Sequence, residues 1–244
     1  MSMQGKVCLV TGATGGMGEV TARALAQQGA TTVLVGRDAE KGRAAVACIR
    51  QATGNPRVEL LLADLSVQAD IHRLAAAFRA GYLRLDVLVN NAGAVFGQRQ
   101  LTADGIERTF ALNHLSYFLL THLLLDRLTA SAPARVVNVA SATHQMVKPA
   151  DVGDWQSTRS YSMTQAYHRS KLANLLFTFE LARRLAGTGV TVNAAAGPTK
   201  SGLGQHSGSP LSLVLRLASA LLGQRTERAR RRPFTWPRPP SWPA

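Results

Sequence analysis

Cysteine is almost missing from this chain: Cys8 and Cys48 are the only two among 244 residues. Neither has a neighbour at metal-ligand spacing, which excludes a disulfide framework and a cysteine-built zinc site, and no metal is expected. Both read as ordinary reduced core thiols, Cys8 within the apolar run KVCLV. Acidic residues are scarce too, 14 against 28 Lys and Arg, for a formal net charge of +14. Six of those arginines crowd into residues 225–244 beside a single Glu. The remaining excess is scattered singly, the pattern of solvated helix faces rather than of a nucleic-acid footprint. No run approaches the roughly 20 apolar residues that span a bilayer. The nearest, PLSLVLRLASALLG, is interrupted by Arg216 and reads as an amphipathic helix. The chain opens MSMQGKVCLVTG, with neither a charged leader nor a long apolar stretch, so the expectation is a cytoplasmic protein without a membrane span.

What is present is a rhythm. KVCLVTG, TTVLVG, RVELLLAD, LDVLVNNAG, ARVVNVAS and GVTVNAA are short apolar runs with the look of buried strands. Helix-like stretches such as GEVTARALAQQG, DAEKGRAAVACIRQATG and VQADIHRLAAAFRAG separate them. Continuous apolar strands alternating with helices predict an α/β fold: one doubly wound parallel sheet in three layers, α/β/α. The expected domain covers residues 1–223, followed by an atypical, disordered Arg- and Pro-rich tail over residues 224–244.

The first of these strands runs into TGATGGMG, which places Gly12, Gly16 and Gly18 where a strand must turn sharply into a helix. Such a turn needs backbone that approaches its surroundings closely, and the helix start then offers free N–H groups to a pyrophosphate. The competing reading is a tight turn that needs glycine and holds no ligand. At the end of the second strand, VLVGRD puts Arg37 where NAD sites commonly carry an acid. The absent acid favours NADP, with a solvated strand cap as the alternative. Asp64 in LLADLS ends the third strand, where it either accepts from an adenine amino group or caps the following helix.

Tyr167 and Lys171 lie four residues apart in the helix-like AYHRSKLANLLF, on one face and about one turn from each other. A nearby ammonium favours phenolate and lowers a tyrosine toward working pH, so that it can exchange a proton with a carbonyl or alcohol oxygen. Ser141 in NVASATH ends the preceding strand and supplies a hydroxyl to the same oxygen.

With TGATGGMG, NNAG at 90–93, Asn113, Ser141 and Tyr167-x-x-x-Lys171 in this order, residues 5 to 203 resemble the short-chain dehydrogenase/reductase family. The segments LTADGIERTFALNHLSYFLLTHLLLDRL and AYHRSKLANLLFTFELARRL resemble its retinol-dehydrogenase-like branch. That resemblance implies a Rossmann-type fold and an NADP-dependent oxidoreductase, with NAD as the alternative cofactor. The implied substrate is a small lipophilic carbonyl or alcohol, and a homo-oligomer is allowed. It further implies that Tyr167 is the acid/base and that Lys171 lowers it and bonds the nicotinamide ribose. Ser141 steadies the substrate oxygen, and Asn113 holds a helix distortion and a water of the proton relay. Gly12, Thr14, Gly16, Met17 and Gly18 would seat the pyrophosphate, and Arg37 would meet the 2′-phosphate. The implied cofactor contacts continue through Asp64, Leu65, Asn90, Ala92, Gly93, Tyr167, Lys171, Pro198 and Thr199, with Asn90 supporting the loop beside the adenine ribose. His114 reads as a packed helix residue and His144 as a structural or substrate-loop residue.

Two departures from the family pattern stand out. In VTVNAAAGPTKSGL the order Gly197–Pro198 is the reverse of the usual Pro-Gly turn, which leaves Thr199 or Ser201 to replace its hydroxyl contact and admits a protein that binds cofactor with little turnover. The tail then holds five of the ten prolines where a helix and an edge strand belong, so the last strand is expected to be missing or altered. A nucleic-acid arm is the competing reading of those arginines. Read from the third base of each codon, the stretch RRPFTWPRPPSWPA is compatible with PLYLASAPELA, which points to a change of reading frame. DNA reads across the codons for Leu222 to Arg225 are expected to show a family-like alternative frame; one clean frame in independent clones overturns this.

Overall fold

In the computed structural model, residues 2–148 and 153–196 are described. The six apolar runs form β1 (Val7–Thr11), β2 (Thr31–Gly36), β3 (Val58–Leu62), β4 (Val87–Asn90), β5 (Ala134–Val139) and β6 (Val190–Ala195). They build one parallel sheet in the order β3-β2-β1-β4-β5-β6. Between them run α1 (Gly16–Gln27), α2 (Ala39–Thr53) and α3 (Gln68–Gly81). After β4 come the single turn α4 (Arg108–Phe110), a wide π-helical turn (Ala111–Leu115), α5 (Ser116–Leu123) and α6 (Leu125–Ala130). A 3₁₀ turn (Ala142–Met146) and the long α7 (Met163–Arg184) follow β5.

Successive residues of a strand face opposite sides, so neighbouring apolar positions feed different cores. Leu9 joins Val33, Phe78, Leu88, Leu120 and Val136 under α3, α5 and α7. Val10, one residue on, joins Leu34, Ala22, Ala26 and Ile49 under α1 and α2. With both faces covered, the strands read as unbroken apolar runs, and the expected three-layer doubly wound architecture is what the chain adopts.

Local signals set the helix ends. Asp38 begins α2 by accepting the Glu40 and Lys41 N–H groups at 3.0 and 3.1 Å, and Gly54 ends it in left-handed backbone. At the amino edge of the sheet, Asp86 accepts from Val7 N at 2.9 Å, Lys6 Nζ at 2.9 Å and Arg84 Nε at 2.7 Å, which ties the starts of β1 and β4. Cys8 is buried as expected, but Cys48 is exposed: it lies on α2 one residue before the buried Ile49, turned away from the core. Among the described residues no helix is long and apolar enough to cross a membrane. Pro198, Thr199, the boundary at 223 and the tail lie outside the described residues.

The order reverses between β1 and β4, and their carboxyl ends open the crevice where doubly wound folds take ligands. Gly18 holds this switch point closed. A Cβ there would lie 2.3 Å from the Gly12 carbonyl oxygen and 2.5 Å from Asn91 Nδ2. Gly81, at the end of α3, has nothing within 4 Å of the same atom. Gly18→Ala is therefore expected to destabilise the fold by about 1–3 kcal/mol in urea unfolding. Gly81→Ala should be neutral or slightly stabilising, by up to about 1 kcal/mol, and equal effects at the two positions would contradict the packing account.

Candidate active site

The turn after β1 is built for close approach. Gly12 has φ +63, and a Cβ on it would sit 2.8 Å from Ala92 Cα. Thr14 presses its methyl against Gly36 at the end of β2, where a Cβ would meet it at 2.3 Å. Beyond it, α1 starts after Gly15 without any side-chain cap, and Cβ atoms on Gly15 or Gly16 would meet nothing within 4 Å. The start of α1 at Gly16 thus borders open space with its first N–H groups uncapped, a cradle that fits a pyrophosphate.

The loop after β4 is laced to that turn by residues the sequence reading did not single out. Thr11 Oγ1 accepts from Asn91 N at 2.8 Å and from Ala92 N at 3.1 Å. Asn91 Nδ2 donates to the Thr11 and Gly12 carbonyls at 2.8 and 3.2 Å. The signal was present as the second Asn of NNAG and the Thr of the first TG, both polar groups at strand ends. Asn90 supports the loop from inside the core: its Nδ2 donates to Thr121 Oγ1 and Asn138 Oδ1, each at 2.9 Å. The Ala92 carbonyl accepts from the Tyr117 hydroxyl at 2.9 Å. A Cβ on Gly93 would lie 3.3 Å from Asn113 Oδ1 and 3.8 Å from Lys171 Nζ, so the glycine brings backbone up to both.

At the other end of the crevice, Arg37, Asp38, Leu62, Asp64 and Arg73 line an open cleft of about 600 Å³. Asp64 Oδ1 accepts from Ser66 N at 2.9 Å and Ser66 Oγ at 2.7 Å, so one carboxylate oxygen caps the next turn. Burial pushes that carboxyl up, but the Ser66 bonds and the nearby Arg37 outweigh it and hold it below its ordinary value. Leu65, expected beside the cofactor, packs its side chain into the core under α3, which leaves only its backbone on the crevice side.

The four residues expected to carry chemistry converge on the ends of β4 and β5. Lys171, only 2% exposed, donates from Nζ to the Val139 carbonyl at 2.8 Å and sits 5.6 Å from the ring centres of both Tyr117 and Tyr167. Ser141 stands beside Tyr167 and draws its phenol down, and Thr143 Oγ1 donates to Ser141 Oγ at 3.0 Å. Asn113 is fully buried in the wide turn and holds both backbone groups of Ala94: Oδ1 accepts its N–H at 2.9 Å and Nδ2 donates to its carbonyl at 3.0 Å. The same Nδ2 donates to Ser170 Oγ at 3.2 Å. His144 Nδ1 is bonded to the Ser141 carbonyl at 2.7 Å, a structural role beside the 3₁₀ turn, and His114 packs in the interior against Phe110 and Phe177.

One electrostatic expectation fails. Lys171 was expected to lower Tyr167, yet burial pushes the Tyr167 phenol up, opposed by the neighbouring Ser141. The largest cause is the burial of Tyr167 itself. Burial likewise draws the Lys171 ammonium down to about 7, which disfavours the positive charge that would stabilise a phenolate.

Residues 6–210 match the short chain dehydrogenase family. The chain is 47% identical over 220 residues to human retinol dehydrogenase 12, which covers 90% of this chain and 69% of that protein. It is 45% identical over 208 residues to human retinol dehydrogenase 11, covering 85% of this chain and 65% of that one. It therefore spans about two thirds of the length of these curated relatives. Among solved structures, a Pseudomonas aeruginosa RhlG/NADP active-site complex superposes with a TM-score of 0.68 at 32% identity, over 87% of this chain and 80% of that one. A Mycobacterium paratuberculosis protein gives 0.70 at 36% identity, over 91% of this chain and 77% of that one. The chain belongs to the short-chain dehydrogenase/reductase family of oxidoreductases and is retinol-dehydrogenase-like.

Proposed function

We propose that the protein interconverts an alcohol and a carbonyl on a hydrophobic small molecule, with NADP(H) as hydride carrier and Tyr167 as the acid/base. The observation that carries this reading is the joining of Ser141, Tyr167 and Lys171 at the crevice edge, where a side chain on Gly93 would meet the lysine. The nicotinamide supplies or accepts the hydride when bound. In the reducing direction Tyr167 gives its hydroxyl proton to the substrate oxygen, and in the oxidising direction it takes that proton back. Ser141 donates a hydrogen bond to the same oxygen, with Thr143 orienting its hydroxyl. Lys171 stands ready to replace the proton, and Asn113 holds the loop at Ala94 against the relay.

The cradle at Gly16, Met17 and Gly18 would hold the pyrophosphate, Arg37 the 2′-phosphate, and Asp64 the adenine amino group. Tyr167 and Lys171 would hold the nicotinamide ribose. NADP is supported by the basic Arg37 at the tip of β2 and by an NADP complex among the similar structures. A lipophilic substrate, retinoid-like aldehydes included, is supported by the retinol dehydrogenase relatives and by Met146, 62% exposed on the turn that follows Ser141. Phe118, Leu176 and Phe179, exposed on α5 and α7, support a homo-oligomer. The reversed Gly197–Pro198 order favours a second reading, in which cofactor binds and turnover is weak.

A panel of lipophilic aldehydes with NADPH and NADH, followed at 340 nm, tests both readings. Reduction with NADPH is expected, and Tyr167→Phe should lower kcat by roughly 10²–10⁴-fold, far more than the loss of one ribose contact weakens NADPH binding. Arg37→Ser should weaken NADPH binding by roughly tenfold or more and leave NADH binding unchanged. A Tyr167→Phe protein as active as the wild type rules out the proposed chemistry. NADPH binding without any aldehyde reduction selects the second reading.

A further inference from the structure

Beyond the four expected residues, α7 carries a fifth polar group toward the same place. Asn174 lies one turn past Lys171 and is fully buried. A π-helical turn is a widened stretch whose carbonyls are poorly matched to the N–H groups of an ordinary helix, and such stretches recur at functional sites. Here side chains meet two successive carbonyls of the wide turn. Ser116 Oγ donates to the Leu112 carbonyl at 2.6 Å, and Asn174 Nδ2 donates to the Asn113 carbonyl at 2.8 Å.

The other end of the Asn174 amide is committed as well. His114 Nδ1 lies 2.9 Å from Asn174 Oδ1. Because Nδ2 is spent on the Asn113 carbonyl, Oδ1 is the atom facing the ring, and His114 must carry its proton on Nδ1. Burial and the nearby Lys171 hold His114 below its ordinary value despite this bond, which keeps the ring neutral and that tautomer in place. Asn174 therefore grips two consecutive residues of the wide turn, 113 by its carbonyl and 114 by its ring. Its own backbone is anchored in turn: Thr178 Oγ1 donates to the Asn174 carbonyl at 2.7 Å and accepts from Asn138 Nδ2 at 3.0 Å. Asn138 belongs to β5, the strand that ends two residues before Ser141.

We propose that Asn174 is a positioning residue for the proton relay: by holding the wide turn it keeps the Asn113 amide on Ala94 and Ser170, in register with Tyr167 and Lys171. This rests on the reading of Asn113, Tyr167 and Lys171 given above. Asn174 touches neither substrate nor cofactor in this scheme. It acts through Asn113, whereas a purely structural role would lower stability and leave turnover per folded site unchanged.

The test compares Asn174→Leu, Asn113→Ala and the double variant in the full chain. Turnover with NADPH and an aldehyde is measured per NADPH-binding site, alongside amide hydrogen exchange without cofactor. Asn174→Leu is expected to lower kcat by roughly 10- to 100-fold with aldehyde KM and NADPH affinity little changed, the scale for a misplaced relay group. Asn113→Ala should lose a similar factor, and the double variant no more than the larger single loss, because both act through one group. The Ala94 amide, held by Asn113, should exchange roughly tenfold faster in Asn174→Leu, while the Asn91 and Ala92 amides, held by Thr11, keep their protection. If Asn174→Leu does not fold, the isosteric Asn174→Asp removes the donor to the Asn113 carbonyl and carries the same expectations. Unchanged kcat and Ala94 exchange at position 174, with Asn113→Ala impaired, overturns this proposal alone. An Asn113→Ala protein with wild-type turnover overturns the relay reading beneath it.

Discussion

A seam of buried amide hydrogen bonds runs through the interior just behind the crevice. Asn90 on β4 donates to Asn138 on β5, Asn138 to Thr178 on α7, and Asn174 on the same helix to the wide turn at Asn113. From there Asn113 reaches back to the β4 loop at Ala94. Polar groups in so dry a place cost free energy unless each finds a partner, so the seam tolerates few alternative arrangements. It joins two strands, a helix and a widened turn that apolar packing alone would let slide past one another. Asn90 Oδ1 is the one atom of the seam left without a partner among the described residues.

The crevice inherits its shape from that seam. Ser141 follows β5 by two residues, Tyr167 and Lys171 project from α7, and Asn113 sits in the turn, so each of these groups is carried by or adjoins an element the seam ties. Lys171 is the exposed cost of the arrangement. Taking an ammonium out of water disfavours its charge, and one carbonyl at 2.8 Å leaves it near 7 rather than above 10.

The strands were legible because both faces of a parallel sheet are covered, so each strand is an unbroken apolar run. Tyr167 and Lys171 were legible because helical spacing is a local property. What escaped was set by tertiary contact. Asn138 is a single polar letter inside the apolar ARVVNV that carries no local signal, yet it is a hub of the seam. Asn174 hid in LANLLF as one more helix residue, because the widening of a distant turn leaves no periodic trace. Cys48 was misplaced since helix phase, not residue type, decides which way a side chain faces. Asp64 left two readings open: it bonds Ser66 in the turn before α3, whose start has no side-chain cap, so the helix-capping reading fails and the adenine reading stays open. The direction of the Tyr167 shift was not legible in the spacing to Lys171, because it depends on how deeply Tyr167 itself is buried.

The account centres on hydride passing between a nicotinamide and a carbonyl carbon at the edge that Ser141, Tyr167 and Lys171 share. Incubation with NADPH deuterated at C4 of the nicotinamide and a lipophilic aldehyde, with mass spectrometry of the alcohol, follows that hydride directly. One of the two C4-deuterated epimers is predicted to deliver a single deuterium to the carbinol carbon of each alcohol formed. No alcohol, or alcohol without deuterium from either epimer, would contradict the account.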